Sequence, residues 1–97
     1  MLTSKQRAYL KSVAQTIDPA FQVGKGGISP ELTDGIARYL KAHEIIKVKI
    51  LENALTPASD IAAEIALATD SEVVIVIGSR AVLFKKNPEN PVISRNL

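Results

Sequence analysis

A glycine-rich loop with one lysine is the part of this sequence whose residue types and spacing could do chemistry. It reads Gly24-Lys25-Gly26-Gly27, between an apolar run ending at Val23 and a helix start at Ser29-Pro30-Glu31. Glycine permits positive φ and leaves no Cβ to hold a ligand away, and the N–H groups at a helix start attract anions. Lys25 adds a full positive charge, so the loop could hold a polyanion. From these residues alone, a tight strand-to-helix turn with an exposed lysine is the slightly better interpretation.

A predicted strand near this loop supplies a second basic group. The segment alternates, with Ile46, Val48 and Ile50 on one face and Ile45, Lys47 and Lys49 on the other. Such lysines could simply keep a strand face soluble. Beside a glycine loop, contact with phosphates is the favoured interpretation.

Charge is distributed unevenly along the chain. The net charge is only +2, but residues 1–49 contain eight basic and four acidic side chains, whereas residues 50–97 contain four basic and six acidic ones. Positive potential is therefore concentrated in the half that carries the glycine loop. This asymmetry supports a phosphate-bearing ligand without establishing nucleic acid.

Composition limits the remaining possibilities. A chain of 97 residues with 46% hydrophobic residues fits one compact domain with one core. Cysteine is absent and His43 is the only histidine, which excludes disulfides, thiolate metal sites and imidazole clusters. No segment approaches the ~18 apolar residues of a membrane span, and the N-terminal residues contain no apolar signal region. We therefore expect a soluble, unprocessed, cytoplasmic protein without a membrane partner.

Local patterns predict three helices. A capping box at Thr3-Ser4-Lys5-Gln6 starts the first, which is expected to run from Ser4 to Ile17. The second has Ser29 as its N-cap, Pro30 at its first position and an apolar stripe down to His43. Thr56-Pro57 repeats this signature before the third, which ends near Thr69. Its apolar face is predicted to comprise Ala58, Ile61, Ala62, Ile65 and Ala68.

The strands complete an α-β-α-β-α-β-β order. Besides Ile45–Ile50, they are Phe21–Val23, Val73–Ile77 and Ala81–Lys86, the last two forming a hairpin around Gly78-Ser79-Arg80. Val73–Ile77 lacks alternation, which predicts a central strand buried on both faces. Right-handed crossovers place the second and third helices on one face of the sheet. We predict an α+β fold, a two-layer α/β sandwich with a four-stranded mixed sheet. Residues 1–86 would form one domain and residues 87–97 a flexible tail.

Three segments together resemble a known family. They are Val23-Gly24-Lys25-Gly26-Gly27-Ile28-Ser29, the run HEIIKVKI from His43 to Ile50, and Val76-Ile77-Gly78 followed by Val82-Leu83-Phe84. Their order and spacing over residues 2–86 are similar to the YhbY family, the stand-alone bacterial form of the CRM domain. The resemblance implies RNA binding, with ribosomal RNA as the partner during large-subunit assembly. It also implies a fold similar to the C-terminal domain of bacterial translation initiation factor three.

The resemblance also assigns residues to the interface. The loop matches the family's GxxG and resembles the KH-domain loop that clamps an RNA backbone. It implies that Lys25 contacts phosphate, that the amides of Gly26 through Ile28 hold another phosphate, and that Lys47 and Lys49 form a basic strand. The chain departs from the family in carrying Arg80 where a lysine often follows Gly78 directly, and Phe84 where tyrosine is common. The implied RNA-binding residues are Gly24, Lys25, Gly26, Gly27, Ile28, Lys47, Lys49 and Arg80.

Two other classes of function stay open. A small nucleotide-binding enzyme lacks support because the GxxxxGK[ST] pattern and any nucleophile–base pair are missing. Asp60 and Glu64 fit a solvated helix face, and His43 fits a helix end. We therefore expect no enzyme activity, cofactor, metal or small-molecule substrate, and a monomer. A protein-interaction module would use the acidic third helix and the tail Asn87–Leu97.

Overall fold

Three helices and four strands follow one another in the order that the sequence predicts. The computed structural model describes residues 2–97. The helices are α1 (Ser4–Ala14), α2 (Pro30–His43) and α3 (Ala58–Thr69), and a short 3₁₀ helix spans Ser94–Asn96. The strands are β1 (Phe21–Val23), β2 (Ile45–Ile50), β3 (Glu72–Ile77) and β4 (Arg80–Phe84). They form one four-stranded mixed sheet, so the predicted α+β fold is confirmed.

Two of the three helix starts are capped as predicted. The Thr3 hydroxyl accepts from the Gln6 amide at 3.1 Å, and the Gln6 side chain accepts from the Thr3 amide at 3.0 Å, which completes a capping box. In α2 the Ser29 hydroxyl accepts from the Leu32 amide at 3.2 Å. The predicted Thr56 cap of α3 is wrong. Pro57 itself occupies the N-cap position without a side-chain hydrogen bond, because the helix begins one residue later than the Thr-Pro signature indicated.

The helix ends and faces differ slightly from the prediction. α1 ends at Ala14 rather than Ile17, because the chain tightens into i+3 bonds such as the Thr16 amide to the Val13 carbonyl at 3.0 Å. On α3, Ala68 is exposed and Thr69 is buried in its place. The Thr69 hydroxyl is satisfied there by donating to the Ile65 carbonyl at 2.8 Å.

The order of strands in the sheet is β1-β2-β4-β3. β1 pairs with β2 in parallel, whereas β4 is antiparallel to both β2 and β3. The prediction that Val73–Ile77 is a central strand buried on both faces is wrong, since β4 folds back between β2 and β3 and leaves β3 at the edge. Ile77 is accordingly 65% exposed. The register of β3 shifts between Val73 and Ile75, and this bulge turns Val74 and Ile75 toward the same face. The bulge therefore interrupts the inside–outside alternation of this strand.

The two faces of the sheet carry separate cores. α2 and α3 cover one face, as predicted, and their buried side chains there include Ile36, Leu40, Ile61 and Ile65, with Ile46 and Val48 from β2. α1 covers part of the other face, where Leu10 and Ala14 pack with Ile45, Val74, Val82 and Phe84. Burying these side chains stabilises the fold by roughly 1.5–3 kcal/mol for each large aliphatic or aromatic one.

Arg7 fixes where α1 lies on the sheet. Its guanidinium donates to the carbonyls of Val73 at 2.8 Å and Val74 at 2.6 Å, at the bulge of β3, and forms an ion pair with Glu72 at 3.3 Å. These bonds give both carbonyls next to the bulge a charged donor. Arg7 thereby anchors the first half of α1 at the Glu72 end of β3, while Ala14 and Gln15 at the end of α1 lie near Ile77, which stays largely exposed.

Glu44 organises the C-terminal segment. It is fully buried and ends α2 in the left-handed conformation, with φ 68°. One carboxylate oxygen, Oε1, accepts from the amides of Val92 at 2.6 Å, Ile93 at 2.7 Å and Ser94 at 2.9 Å. The other, Oε2, accepts from the Asn87 amide at 2.7 Å and the Ser94 hydroxyl at 2.8 Å.

These donors decide the ionisation of the carboxyl. Burial alone would raise the pKa of Glu44, but the hydrogen bonds from the Asn87, Ser94 and Val92 amides and the Ser94 hydroxyl lower its pKa to about 2. Glu44 is therefore an anion at neutral pH whose charge is held by residues 87–94. The predicted flexibility of residues 87–97 stays a prediction, which amide hydrogen exchange at Val92, Ile93 and Ser94 would test.

Candidate nucleic-acid interface

The glycine-rich loop is a tight turn between β1 and α2. The Gly27 amide donates to the Gly24 carbonyl at 3.0 Å, which leaves Lys25 and Gly26 as the exposed central residues of the turn. Gly27 has φ +69°, a conformation that side chains rarely adopt. A Cβ on Gly24 would lie 3.1 Å from Asn53 Oδ1 and 3.2 Å from Leu51 Cδ1, whereas a Cβ on Gly26 would meet nothing within 4 Å.

The loop amides are not equally available to a ligand. The resemblance implied that the amides from Gly26 to Ile28 hold a phosphate, but the Gly27 amide is already used inside the turn. Ser29 likewise occupies the Leu32 amide, and Glu31 places an acidic side chain in the first turn of α2. The anion attraction of this loop therefore rests on Lys25 and on the Gly26 and Ile28 amides more than on the helix end.

These constraints separate the roles of two neighbouring glycines. Gly27→Ala forces a side chain into the left-handed region, and we expect the free energy of unfolding to fall by about 1–2 kcal/mol. Gly26→Ala places its methyl group in open space and should leave stability within about 0.5 kcal/mol of the wild type. Urea unfolding of both variants measures the difference. Equal destabilisation by the two would contradict the turn geometry.

The three strand residues of the predicted site share one face of the sheet. Ile46 and Val48 point to the α2/α3 core, so Lys47 and Lys49 point to the face that α1 partly covers. Lys49 and Arg80 are directly paired across β2 and β4, and directly opposed residues point the same way. Both lysines are half-buried and Arg80 is exposed.

The glycine loop lies at the same end of the sheet as Lys49 and Arg80. Val23, the residue before the loop, pairs with Ile50, and the Leu51 amide donates to the Val23 carbonyl at 2.8 Å. At that end the Ile50 amide also donates to Ser79 O, in the β3–β4 turn, at 2.6 Å. The structure thus places Lys47, Lys49 and Arg80 on one face of the sheet, and Lys49, Arg80 and the Lys25 loop at the same end of it. We call this set, Lys25, Lys47, Lys49 and Arg80, the basic face.

One basic residue of this region was missed by sequence reasoning. Lys11, exposed on α1, lines a groove between α1 and the sheet. The groove has a volume of about 240 Å³ and is also lined by Lys47 and Arg80, together with Ala14, Gln15, Ile75, Ile77 and Val82. No local pattern around Lys11 could have found it, because its position depends on where α1 docks on the sheet.

The side chains to which the sequence analysis gave no ligand-binding role lie outside the basic face. His43 is exposed at the end of α2, with its ring 4.3 Å from that of Tyr39. Asp60 and Glu64 are exposed on α3. Within residues 2–97, no cluster of three or more histidine, aspartate or glutamate side chains is placed to hold a metal ion. None of the helices in this described part is long and apolar enough to cross a membrane.

The sequence of this chain matches a known domain family. The model of the CRS1 / YhbY (CRM) domain matches residues 2–85. The chain therefore belongs to the CRS1/YhbY (CRM) family, whose domain binds RNA. The resemblance drawn from the three sequence segments is confirmed.

Individual relatives agree with this membership. The chain is similar to Probable RNA-binding protein YqeI of Bacillus subtilis (strain 168), with 41% identity over 93% of this chain and 94% of that protein. It is 37% identical to Probable RNA-binding protein MJ0652 of Methanocaldococcus jannaschii, over 87% of this chain and 63% of the relative. The solution structure of SAV1595 from Staphylococcus aureus, a candidate RNA-binding protein, superposes with a TM-score of 0.78 at 44% identity, covering 93% of this chain and 94% of that one. The names of these relatives indicate RNA binding rather than an enzyme.

Proposed function

We propose that this protein binds structured RNA through the basic face, chiefly by contacts to the phosphate backbone. The observation that carries the proposal is the convergence of the Lys25 loop with Lys49 and Arg80 at one end of the sheet. Four cations in this region offer several phosphate contacts, which a polyanion can use and a single phosphate cannot. Aromatic side chains make no stacking platform there, since Phe84 is buried and Phe21 packs against Tyr39 at 6.1 Å between ring centroids.

We infer further that the RNA is ribosomal RNA of the large-subunit precursor and that the protein assists ribosome assembly. The support for this target is the family resemblance of the glycine loop and the HEIIKVKI strand. Recognition by backbone and shape suits folded ribosomal RNA, in which helices and irregular segments lie close together. The protein would act in the cytoplasm as a monomer.

The experiment is in-cell crosslinking followed by sequencing of the bound RNA. Wild type is compared with the variant Lys25→Ala/Lys47→Ala/Lys49→Ala. The control variant removes the same charge from exposed lysines outside the basic face, as Lys5→Ala/Lys41→Ala/Lys86→Ala. We expect large-subunit ribosomal RNA to be enriched by the wild type and by the control variant and lost by the basic-face variant. Enrichment of other RNAs only would overturn the target, and equal loss in both variants would overturn the assignment of the surface.

A further inference from the structure

We propose that the groove between α1 and the sheet holds one unpaired nucleotide of the bound RNA, with its base against Ile77 and Ile75 and its phosphates near Lys11 and Lys47. This inference rests on the proposed RNA binding and adds what the groove recognises. A purely electrostatic surface would bind helical and single-stranded RNA through the same phosphates. The groove also has an apolar floor, formed by Ile75 and Ile77. Contact with apolar side chains does not stabilise a bound phosphate.

The floor comes from the edge strand. Ile77 is 65% exposed although it lies in a strand, and it is paired with Arg80 across the hairpin. Two residues further along the strand, on the same face, Ile75 is paired with Val82, whose other neighbour is Lys47. Two rows of the sheet therefore present apolar and cationic side chains next to one another on the same face.

The cations around this floor have no acidic neighbour in the groove. Lys11, Lys47 and Arg80 line it, and none of the described residues lining it is aspartate or glutamate. The occupant should therefore be anionic and should carry a flat apolar part. A nucleotide has both, since its phosphate matches the lysines and its base can lie against the isoleucine side chains next to the Arg80 guanidinium.

The size of the groove favours one unpaired nucleotide over a duplex. Its volume of about 240 Å³ is below the roughly 300–1,000 Å³ of pockets for drug-sized ligands. A base inside a helix is stacked and paired, so its faces are not available to the isoleucines of the groove. The groove is also continuous with the basic face, because Lys47 and Arg80 belong to both.

The test uses two RNA duplexes that carry overhangs of equal length, one of uridines and one of abasic nucleotides. Both have the same phosphates, so their difference in affinity, measured by fluorescence anisotropy, reports the contact to bases. We expect the wild type to prefer the uridine overhang by about 5-fold, the lower end of what one stacked base contributes. Ile77→Thr, which keeps a β-branched residue on the strand, should remove the preference and leave binding of the abasic RNA unchanged.

Two further variants keep the result interpretable. Leu67→Gln removes an aliphatic side chain that is 86% exposed on α3 and should retain the preference. Arg80→Lys keeps the charge and should reduce the preference, because the planar guanidinium is lost. Equal affinity of the wild type for both RNAs, or an Ile77→Thr effect of equal size on both, would overturn the nucleotide groove and leave RNA binding intact. Failure of the wild type to bind either RNA would overturn the proposed function and this inference together.

Discussion

Replacing Glu44 by glutamine is expected to lower the free energy of unfolding by about 2–3 kcal/mol at neutral pH. The carboxylate accepts five hydrogen bonds from the segment 87–94, four of them from backbone amides. A carboxamide can keep the three amides at Oε1, but its NH₂ group would face the Asn87 amide, donor against donor. The charge that strengthens all five bonds is also lost.

The stability difference between the wild type and Glu44→Gln should depend on pH. The pKa of Glu44 falls from 4.5 to about 2 on folding, so its ionised form contributes stability that is fully present above pH 4.5. That contribution, about 3 kcal/mol from the size of the shift, decreases as the pH falls from about 4.5 to about 2. The Glu44→Gln variant lacks it at every pH. The stability curves of the two proteins should therefore lie apart at neutral pH and approach one another toward pH 2.

Urea unfolding followed by circular dichroism across this pH range is the measurement. Other carboxyl groups titrate in both proteins, so the difference between the curves isolates Glu44. Glu64→Gln is the matched control, because Glu64 is exposed on α3, and its effect should stay within about 0.5 kcal/mol. A constant difference between wild type and Glu44→Gln from neutral pH to pH 2 would contradict a pKa lowered by the C-terminal segment.

This role of Glu44 also affects how the C-terminal segment can be tested. Deleting Asn87–Leu97 would remove every donor to a fully buried carboxylate. The deletion would also uncover this carboxylate, and the stabilisation that its hydrogen bonds provide would be lost. Loss of partner binding in such a deletion would therefore report on the fold as much as on a protein-interaction role. Substitutions of exposed residues such as Glu89 and Asn90 are the cleaner probes of that role.

The basic-face variant Lys25→Ala/Lys47→Ala/Lys49→Ala is expected to bind RNA about 100-fold more weakly at roughly 0.1 M salt. Each phosphate contact contributes about 0.7–0.9 to the slope of log affinity against log salt. Removing three contacts should therefore reduce the slope by about 2–3, and the loss of affinity should shrink as salt rises. Anisotropy titrations of a ribosomal RNA fragment over a series of KCl concentrations measure both quantities.

The control separates local contacts from net charge. Lys5→Ala/Lys41→Ala/Lys86→Ala lowers the net charge by the same amount, at exposed positions outside the basic face. It should change the slope of log affinity against log salt by less than the roughly 0.7–0.9 that one phosphate contact contributes. If the control weakens binding as strongly as the basic-face variant, the RNA would be attracted by overall charge rather than by this surface. Thermal unfolding of both variants checks that the half-buried Lys47 and Lys49 are not needed for the fold.

Local patterns determined much of this protein from sequence alone. The capping box at Thr3 and the serine cap at Ser29 place two helix starts, because these signals act within three residues. Alternation over Ile45–Ile50 separated the core face of β2 from its lysine face. The spacing of three segments was sufficient to indicate the family, which the match over residues 2–85 confirms.

Only the tertiary structure decided the features that depend on distant partners. β3 became an edge strand because β4 paired with β2, and this exposed Ile77 beside Arg80. Lys11 joined the site through the docking of α1 on the sheet. Glu44 has its carboxylate partners 43 to 50 residues away in the chain, and no period or cap around it predicts them. Short-range patterns record the hydrogen bonds and faces of single elements, whereas strand order and buried charge partners are set by which elements pack together.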